Sequence, residues 1–309
     1  MAAIRPRAMR RYLGYGLVID SALPLPELTE APETYGKGPA DVTVTLGPIA
    51  DNGLPPGDTQ TLNWLAGNRL WFKLDGVGQF LIEQGRSITI QPEPGCDETS
   101  LRVYLLGSGF GGLLFQRDLL VLHGNSVRIG DHCLISVGES GAGKSTLAAG
   151  FLARGFDVLA DDVVPVDAQG CAVSGFPRIK LWGETAARLG IDTHGLQRIL
   201  PGLDKFNVPL PNYRPGLRLP VRTVYLLEVS DLPGIRLEPV TGMDRMSALT
   251  EHTYRFHFLQ EPAQMAAHLR QCSRLAAQTR LVRVTRSSQG FELDALIDAL
   301  VADADRAQT

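Results

Sequence analysis

Eight consecutive residues, Gly138-Glu139-Ser140-Gly141-Ala142-Gly143-Lys144-Ser145, match the pattern G-x-x-x-x-G-K-[ST] at every defined position, and Thr146 follows. The residue types have a mechanical reason. Glycines let backbone N–H groups converge on phosphate oxygens, and a helix beginning near Lys144 adds the positive end of its dipole. Lys144 can then reach the β and γ phosphates, and the Ser145 hydroxyl can ligate Mg²⁺. The nucleotide-binding candidates are therefore Gly138, Glu139, Ser140, Gly141, Ala142, Gly143, Lys144, Ser145 and Thr146, with Lys144 also a catalytic candidate. A glycine-rich turn can match by accident. This one lies between an apolar run at 133–137 and good helix formers at 145–154, the context the chemistry requires.

A second group of reactive side chains stands close by in sequence. Asp161 and Asp162 directly follow the apolar run 156–160, only 17 residues after Lys144. Carboxylates at the C-terminal end of a strand are where open α/β sheets place ligand chemistry. One can hold a metal and the other accept a proton from an attacking hydroxyl. The bland alternative, a solvated acidic turn, is weakened by the neighbouring loop. His123 closes the run 119–122, 21 residues before Lys144. Such a histidine is often only structural, but at the edge of a nucleotide site it could orient or deprotonate an acceptor. The short spacing leaves room for one helix between loop and aspartates. Neither a Leu-Ser-Gly-Gly-type transporter segment nor an Asn-Lys-x-Asp guanine reader is present, so the arrangement favours a kinase for a small or protein acceptor.

The elements that position these residues follow from composition and periodicity. A length of 309 residues corresponds as a prior to two domains of roughly 150 each. With 44% hydrophobic and 20% charged residues the chain can bury a sizeable core. The 30 basic residues against 33 acidic ones, a formal charge of −3, provide no basic coat for nucleic acid. The 33 glycines and 20 prolines speak for many turns and exclude a coiled coil. Cys96, Cys133, Cys171 and Cys272 form no CxxC pair and are too sparse for a disulfide framework, which fits a reducing cytoplasm. The apolar stretch 13–19 ends at Asp20, too short for a signal segment or a membrane span. The expectation is a cytoplasmic protein without membrane contact.

Residues 41–46 alternate strictly between apolar and polar, and 70–74, 79–83 and 87–91 read as further short strands. Asp75-Gly76 and Gln84-Gly85 suit the tight connections between them. A helix is expected over 99–118, although Gly107, Gly109, Gly111 and Gly112 weaken it by up to ~1 kcal/mol each. Glycines packed close to another element are the simple explanation. Strands at 119–122, 133–137 and 156–160 flank a helix at 145–154 that Gly155 terminates. After about residue 175 the chain reads as Pro-rich loops, with order returning as a strand at 221–229, a helix at 262–280, a strand at 281–284 and a helix at 292–301. The predicted class is α/β: a P-loop kinase core at 116–309, preceded by a smaller β-rich N-terminal domain at 1–115.

At Leu122-His123-Gly124, at the loop 138–146, and at Arg154-Gly155-Phe156 leading into Ala160-Asp161-Asp162, the chain resembles the HPr kinase/phosphorylase superfamily of bacterial P-loop serine kinases. That resemblance implies a core of HPr-kinase type, ATP and Mg²⁺ as cofactors, and a homo-oligomer. It also implies that Asp161 is the base toward an acceptor serine, assisted by His123, and that Asp162 holds Mg²⁺ together with Ser145. The opening 15–28, with Leu23-Pro24-Leu25-Pro26-Glu27-Leu28, and the stretch 222–228 are similar to the HPr-kinase-like proteins of lasso-peptide gene clusters. Those enzymes phosphorylate the C-terminal residue of a precursor peptide, which makes a peptide or protein the implied partner.

The chain departs from the true HPr kinases after the aspartate pair. Their Glu-Ile-Arg-Gly-type stretch is absent, and Gly175-Phe176-Pro177-Arg178-Ile179-Lys180 stands in its place. This argues against HPr as substrate and against the reverse reaction. Arg178 and Lys180, with Lys205, are candidates to place positive charge on a transferred phosphoryl group or a peptide carboxylate, the alternative being exposed surface charge. Arg255 could be buried and paired or could reach the site. Trp64, Trp71 and Trp182 read as core or rim packing rather than as substrate platforms. His252, His257 and His268 lack metal-ligand spacing, and the arginines of 214–222 read as a solvated loop that could dock a peptide carboxylate. Two other functions stay open: a nucleotide-binding sensor or assembly protein without phosphoryl transfer, and a small-molecule kinase.

Overall fold

The computed structural model describes residues 4, 7–36, 38–50, 62–65, 67–259, 261–290 and 292–306. Within them the chain folds as a mixed α/β protein around two large sheets. The first sheet has eight strands, all from residues up to Pro92. Its centre is the parallel pairing of Val42–Leu46 with Leu17–Ser21 on one side and Ser87–Pro92 on the other. The alternation read at 42–46 buries Val42 and Val44 completely. Tight turns follow the expected residues: Gly76, Gln84 and Gly85 all have positive φ. Trp71 is core, and Trp64 is half-buried with its indole N–H donating to Phe258 O.

Between the sheets runs a helical segment that begins as expected but is not uniform. Asp97 caps Glu98–Tyr104 through a bond to the Ser100 N–H of 2.9 Å. Leu105–Gly109 then widens into a π turn before Phe110–Gln116 resumes the α-helix. The glycines explain the close approach beside it: a Cβ on Gly111 would stand 2.8 Å from Tyr254 Cε1. A π turn beside a cleft is a common functional irregularity.

The second sheet has nine strands, all from Leu120 onward. Strand His132–Gly138 is fully buried, pairs antiparallel with Gly124–Ile129 and parallel with Arg218–Ser230, and ends at the glycine-rich loop. Val158–Asp161 flanks Gly124–Ile129, and Arg280–Ser287 extends the other side through parallel pairing with Arg218–Ser230. Helix Lys144–Ala153 packs beneath against helix Leu293–Arg306, where Gly150 sits against Leu293 and Ile297.

The stretch expected to be loops after residue 175 is more ordered than its prolines suggested. Arg178–Trp182 pairs antiparallel with Lys205–Pro209, and Gly183–Arg188 and Asp244–Glu251 are helices. Pro177 and Pro209 sit at the ends of this small hairpin, where a missing N–H costs no ladder bond. The arginine-rich stretch likewise contributes its second half to strand Arg218–Ser230, with Arg218 paired to Asp167. No described helix is long and apolar enough to cross a membrane.

Candidate active site

The glycine-rich segment is a strand–loop–helix unit. Gly138 ends its strand with φ 155°, and a Cβ there would meet Leu227 O at 2.5 Å. Gly143 precedes the helix with φ 98° and no side chain caps the helix start, leaving its first N–H groups available. The Lys144 ammonium donates to Gly138 O at 2.7 Å and Glu139 O at 2.9 Å, which leaves one of its three protons for an anion. Burial lowers its pKa, and Asp162 and Asp161 oppose that shift.

Strand Val158–Asp161 delivers both aspartates beside this loop, and they diverge. Asp161 Oδ1 lies 3.3 Å from Ser145 Oγ, and Asp161 Oδ2 accepts the Lys180 backbone N–H at 2.8 Å. Burial pushes its carboxyl up to about 6 against the Lys180 bond. Asp162 is left-handed, with φ 73°, and turns away from its neighbour. Its Oδ2 accepts from Lys180 Nζ at 2.6 Å, and its Oδ1 lies 3.5 Å from His123 Nδ1. Burial alone would raise this carboxyl, but Lys180, His123 and Lys205 together hold it well below the ordinary carboxylate range.

His123 Nδ1 is 3.0 Å from the Asp162 carbonyl oxygen. A carbonyl only accepts, so Nδ1 carries the proton and Nε2 is left as the acceptor. Burial lowers the pKa of this histidine, and Asp162 opposes that shift.

A cleft of about 630 Å³ opens over these groups. Its floor carries His123, Asp162, Lys180 and the first loop residues Gly138, Glu139 and Ser140, while Tyr104 and Ser108 from the helix with the π turn, and Thr253 to Arg255, form its walls. Of the two aspartates only Asp162 lines it.

The resemblance implies Asp161 toward the acceptor, assisted by His123, and Asp162 at the metal with Ser145. The geometry joins the partners in the opposite sense, Asp161 with Ser145 and Asp162 with His123. Arg178 is neither exposed nor in the cleft: it is buried, donates to Asn207 Oδ1 at 2.6 Å and supports the floor beside Phe176. Lys205 sits 5.3 Å from the ring of Trp182, which is 49% exposed rather than packed away, and its charge reaches both aspartates.

Two contributors carried no usable signal in sequence. Buried Asn125 donates from Nδ2 to Lys144 O at 2.7 Å, and Arg286 donates to Ala142 O at 3.2 and 3.1 Å. Only the strand pairing brings either to the loop.

The residues also suit Mg²⁺. A hydroxyl and a half-buried carboxylate, Ser145 and Asp161, supply hard oxygen donors, and Mg²⁺ in phosphate sites uses one or two carboxylates with phosphate and water completing its shell. The site is thus a strand, a glycine-rich loop and a helix on a mixed α/β fold, with two aspartates at the adjacent strand end. No protein-family model and no curated protein matches the chain. Among solved structures it is similar to the Hpr(Ser) kinase/phosphatase from Coxiella burnetii, at 13% identity and a TM-score of 0.32, over 61% of this chain and 92% of that one. So distant a likeness leaves function to the site itself.

Proposed function

We propose that the protein is a Mg²⁺-dependent kinase that transfers the γ-phosphoryl group of ATP to a hydroxyl, with a serine of a peptide or protein as acceptor. The observation that carries this reading is the division of the aspartates: Asp161 faces Ser145 at the loop, and Asp162 faces the open cleft between His123 and Lys180.

The loop N–H groups and Lys144 bind the triphosphate with its terminal phosphate at the cleft end of the loop. When bound, Mg²⁺ neutralises phosphate charge, and Ser145 and Asp161 are the residues that would hold it. The acceptor oxygen forms the new bond to phosphorus as the bond to the ADP oxygen breaks, and the hydroxyl proton passes to Asp162. A loose phosphoryl-transfer transition state asks for positioning and charge more than for a strong base, which a carboxylate held ionised by Lys180 supplies. His123 fixes Asp162 through its carbonyl, and Lys205 adds positive charge where negative charge spreads.

The sequence resemblance makes a lasso-type precursor peptide the first acceptor to try. Purified protein with γ-labelled ATP, Mg²⁺ and such a peptide should yield a labelled peptide with one ADP per phosphate transferred. Tight ATP binding with no labelled peptide, protein or free alcohol would instead make this a nucleotide sensor. Turnover of free alcohols with indifference to peptide would make it a small-molecule kinase.

A further inference from the structure

The catalytic floor is not built from the second sheet alone. In the first sheet, Arg10–Gly14 and Leu17–Ser21 pair antiparallel through a two-residue turn, Tyr15-Gly16. Both turn residues have positive φ, 55° and 71°, as a primed hairpin turn requires. Glycine takes that conformation freely, but a residue as bulky as tyrosine is an outlier there. Tyr15 is nevertheless buried, in the cluster that also takes in Phe110 and Phe176. We propose that Tyr15 is a positioning residue of the catalytic site: its ring fixes Gly175-Phe176, and through them the strand Arg178–Trp182 whose Lys180 holds both aspartates. The inference rests on the kinase reading above and adds a residue of the first sheet to that machinery.

Three observations carry it. The first is contact. The Tyr15 ring lies 4.5 Å from that of Phe176 and 6.0 Å from that of Phe110, and these two meet edge to face at 5.4 Å. The Tyr15 N–H donates to Gly175 O at 3.4 Å, and a Cβ on Gly14 would stand 2.6 Å from Phe176 Cε1. The second is what those residues hold. Gly175 donates its N–H to Leu159 O at 2.8 Å. A Cβ on Gly175 would lie 2.9 Å from Ala160 Cβ and 3.6 Å from Tyr15 Cε1, so this glycine is wedged between the turn and the strand that ends in Asp161. Two residues beyond Phe176 begins the strand that carries Lys180. The third is enclosure. Tyr15 borders a void of only about 10 Å³ together with Asp161, Asp162, Arg178 and Lys180, far too small for a ligand. The tyrosine therefore packs directly behind the two carboxylates. Losing its ring frees the hairpin to shift against them, and a misplacement of about 1 Å can cost ~100-fold in rate.

The test reads phosphoryl-transfer kinetics across pH in three variants. Tyr15→Leu removes the ring, Tyr15→Phe keeps it, and Gly14→Ala keeps Tyr15 but pushes on Phe176. Circular dichroism and thermal melting establish that each is folded, and Gly14→Ala decides alone if Tyr15→Leu does not fold. In Tyr15→Leu, kcat should fall at least about tenfold with the KM for ATP nearly unchanged. The acid limb of kcat/KM should move to higher pH, because the Lys180 ammonium no longer stands squarely against Asp162. Gly14→Ala should move the limb in the same direction, and Tyr15→Phe should match the wild type. In a Lys180→Met background Tyr15→Leu should move the limb no further, since the ammonium it would misplace is absent. A contact that merely stabilises the fold would lower the melting temperature and leave kcat and the limb unchanged. That result in the folded variants among Tyr15→Leu and Gly14→Ala, or a Tyr15→Phe as impaired as Tyr15→Leu, overturns the inference and leaves the kinase reading standing. A wild type that transfers no phosphate overturns the kinase reading, and this inference with it.

Discussion

The Lys180 ammonium lies 2.6 Å from Asp162 Oδ2, while the backbone N–H of the same lysine donates to Asp161 Oδ2 at 2.8 Å. One residue of a short hairpin therefore grips both carboxylates, the first through its side chain and the second through its main chain. Lys180→Met keeps the main-chain bond and removes the ammonium. Burial then acts on Asp162 without the strongest charge that opposes it, and its carboxyl rises from well below the ordinary range. A base must be ionised to accept a proton, so the acid limb of the kcat/KM profile should move to higher pH, with Lys180→Arg restoring much of the wild-type profile. A profile that does not move in Lys180→Met would show that Lys180 does not set the state of Asp162.

The two aspartates should fail differently. Asp162→Asn removes the carboxylate that lines the open cleft and, on the proposed reading, should lower kcat by about 100-fold or more, with the KM for ATP nearly unchanged. Asp161→Asn removes the carboxylate beside Ser145 and should raise the Mg²⁺ concentration needed for half-maximal activity. Steady-state kinetics with Mg²⁺ titrated at fixed ATP distinguishes the pair. If Asp161→Asn instead abolishes kcat at saturating Mg²⁺ while Asp162→Asn remains active, the roles are those the sequence resemblance implied.

The exchange of geometric partners, Asp161 with Ser145 and Asp162 with His123, marks where sequence legibility ends. Spacing and residue type pointed to Gly138–Ser145 and to both aspartates, because a strand, a tight turn and a helix leave local marks. Which aspartate faces which partner depends on the φ of 73° at Asp162, and no local pattern announces a left-handed aspartate at a strand end. The hairpin carrying Lys180 reads as loop in the sequence because its two strands are short and separated by 22 residues of intervening chain. Pairing across such a gap is a tertiary fact. The same holds for Arg286, which reaches Ala142 O only because strand Arg280–Ser287 joins the far side of the loop's own sheet.

Glu27, from the motif-like opening of the chain, is almost wholly buried and accepts from Arg102 Nε at 2.8 Å and from Gln197 Nε2 at 3.1 Å. It thereby joins the first sheet, the helix with the π turn and the region after residue 190. Arg102→Met leaves that carboxylate buried without its cation and should cost about 3–5 kcal/mol of stability. Glu27→Met with Arg102→Met removes both charges of the pair and should recover part of the loss, the remainder reflecting buried Arg178, whose charge Glu27 also offsets. Urea unfolding of the three proteins measures this, and a double variant as unstable as the single would place the cost in packing rather than in the charge.

His268 provides a pH-dependent term of known sign. It is 1% exposed, and its Nε2 lies 2.8 Å from Thr253 Oγ1, whose own hydroxyl donates to Leu249 O. Thr253 must therefore accept, which makes Nε2 the protonated nitrogen of a neutral ring. Burial pushes the pKa from 6.5 down to about 4. Between those values the unfolded chain binds the proton and the folded one does not. The stabilisation is present above pH 6.5 and is lost as the pH falls toward 4, by up to about 3 kcal/mol. Urea midpoints at pH 7 and pH 4.5 should accordingly fall more steeply for the wild type than for His268→Gln, and equal slopes would exclude His268 as the titrating group. Protonation places the second proton on Nδ1, which is buried with no hydrogen-bond partner, and leaves the Nε2 bond to Thr253 in place, so the cost is that of a buried, unpaired cation.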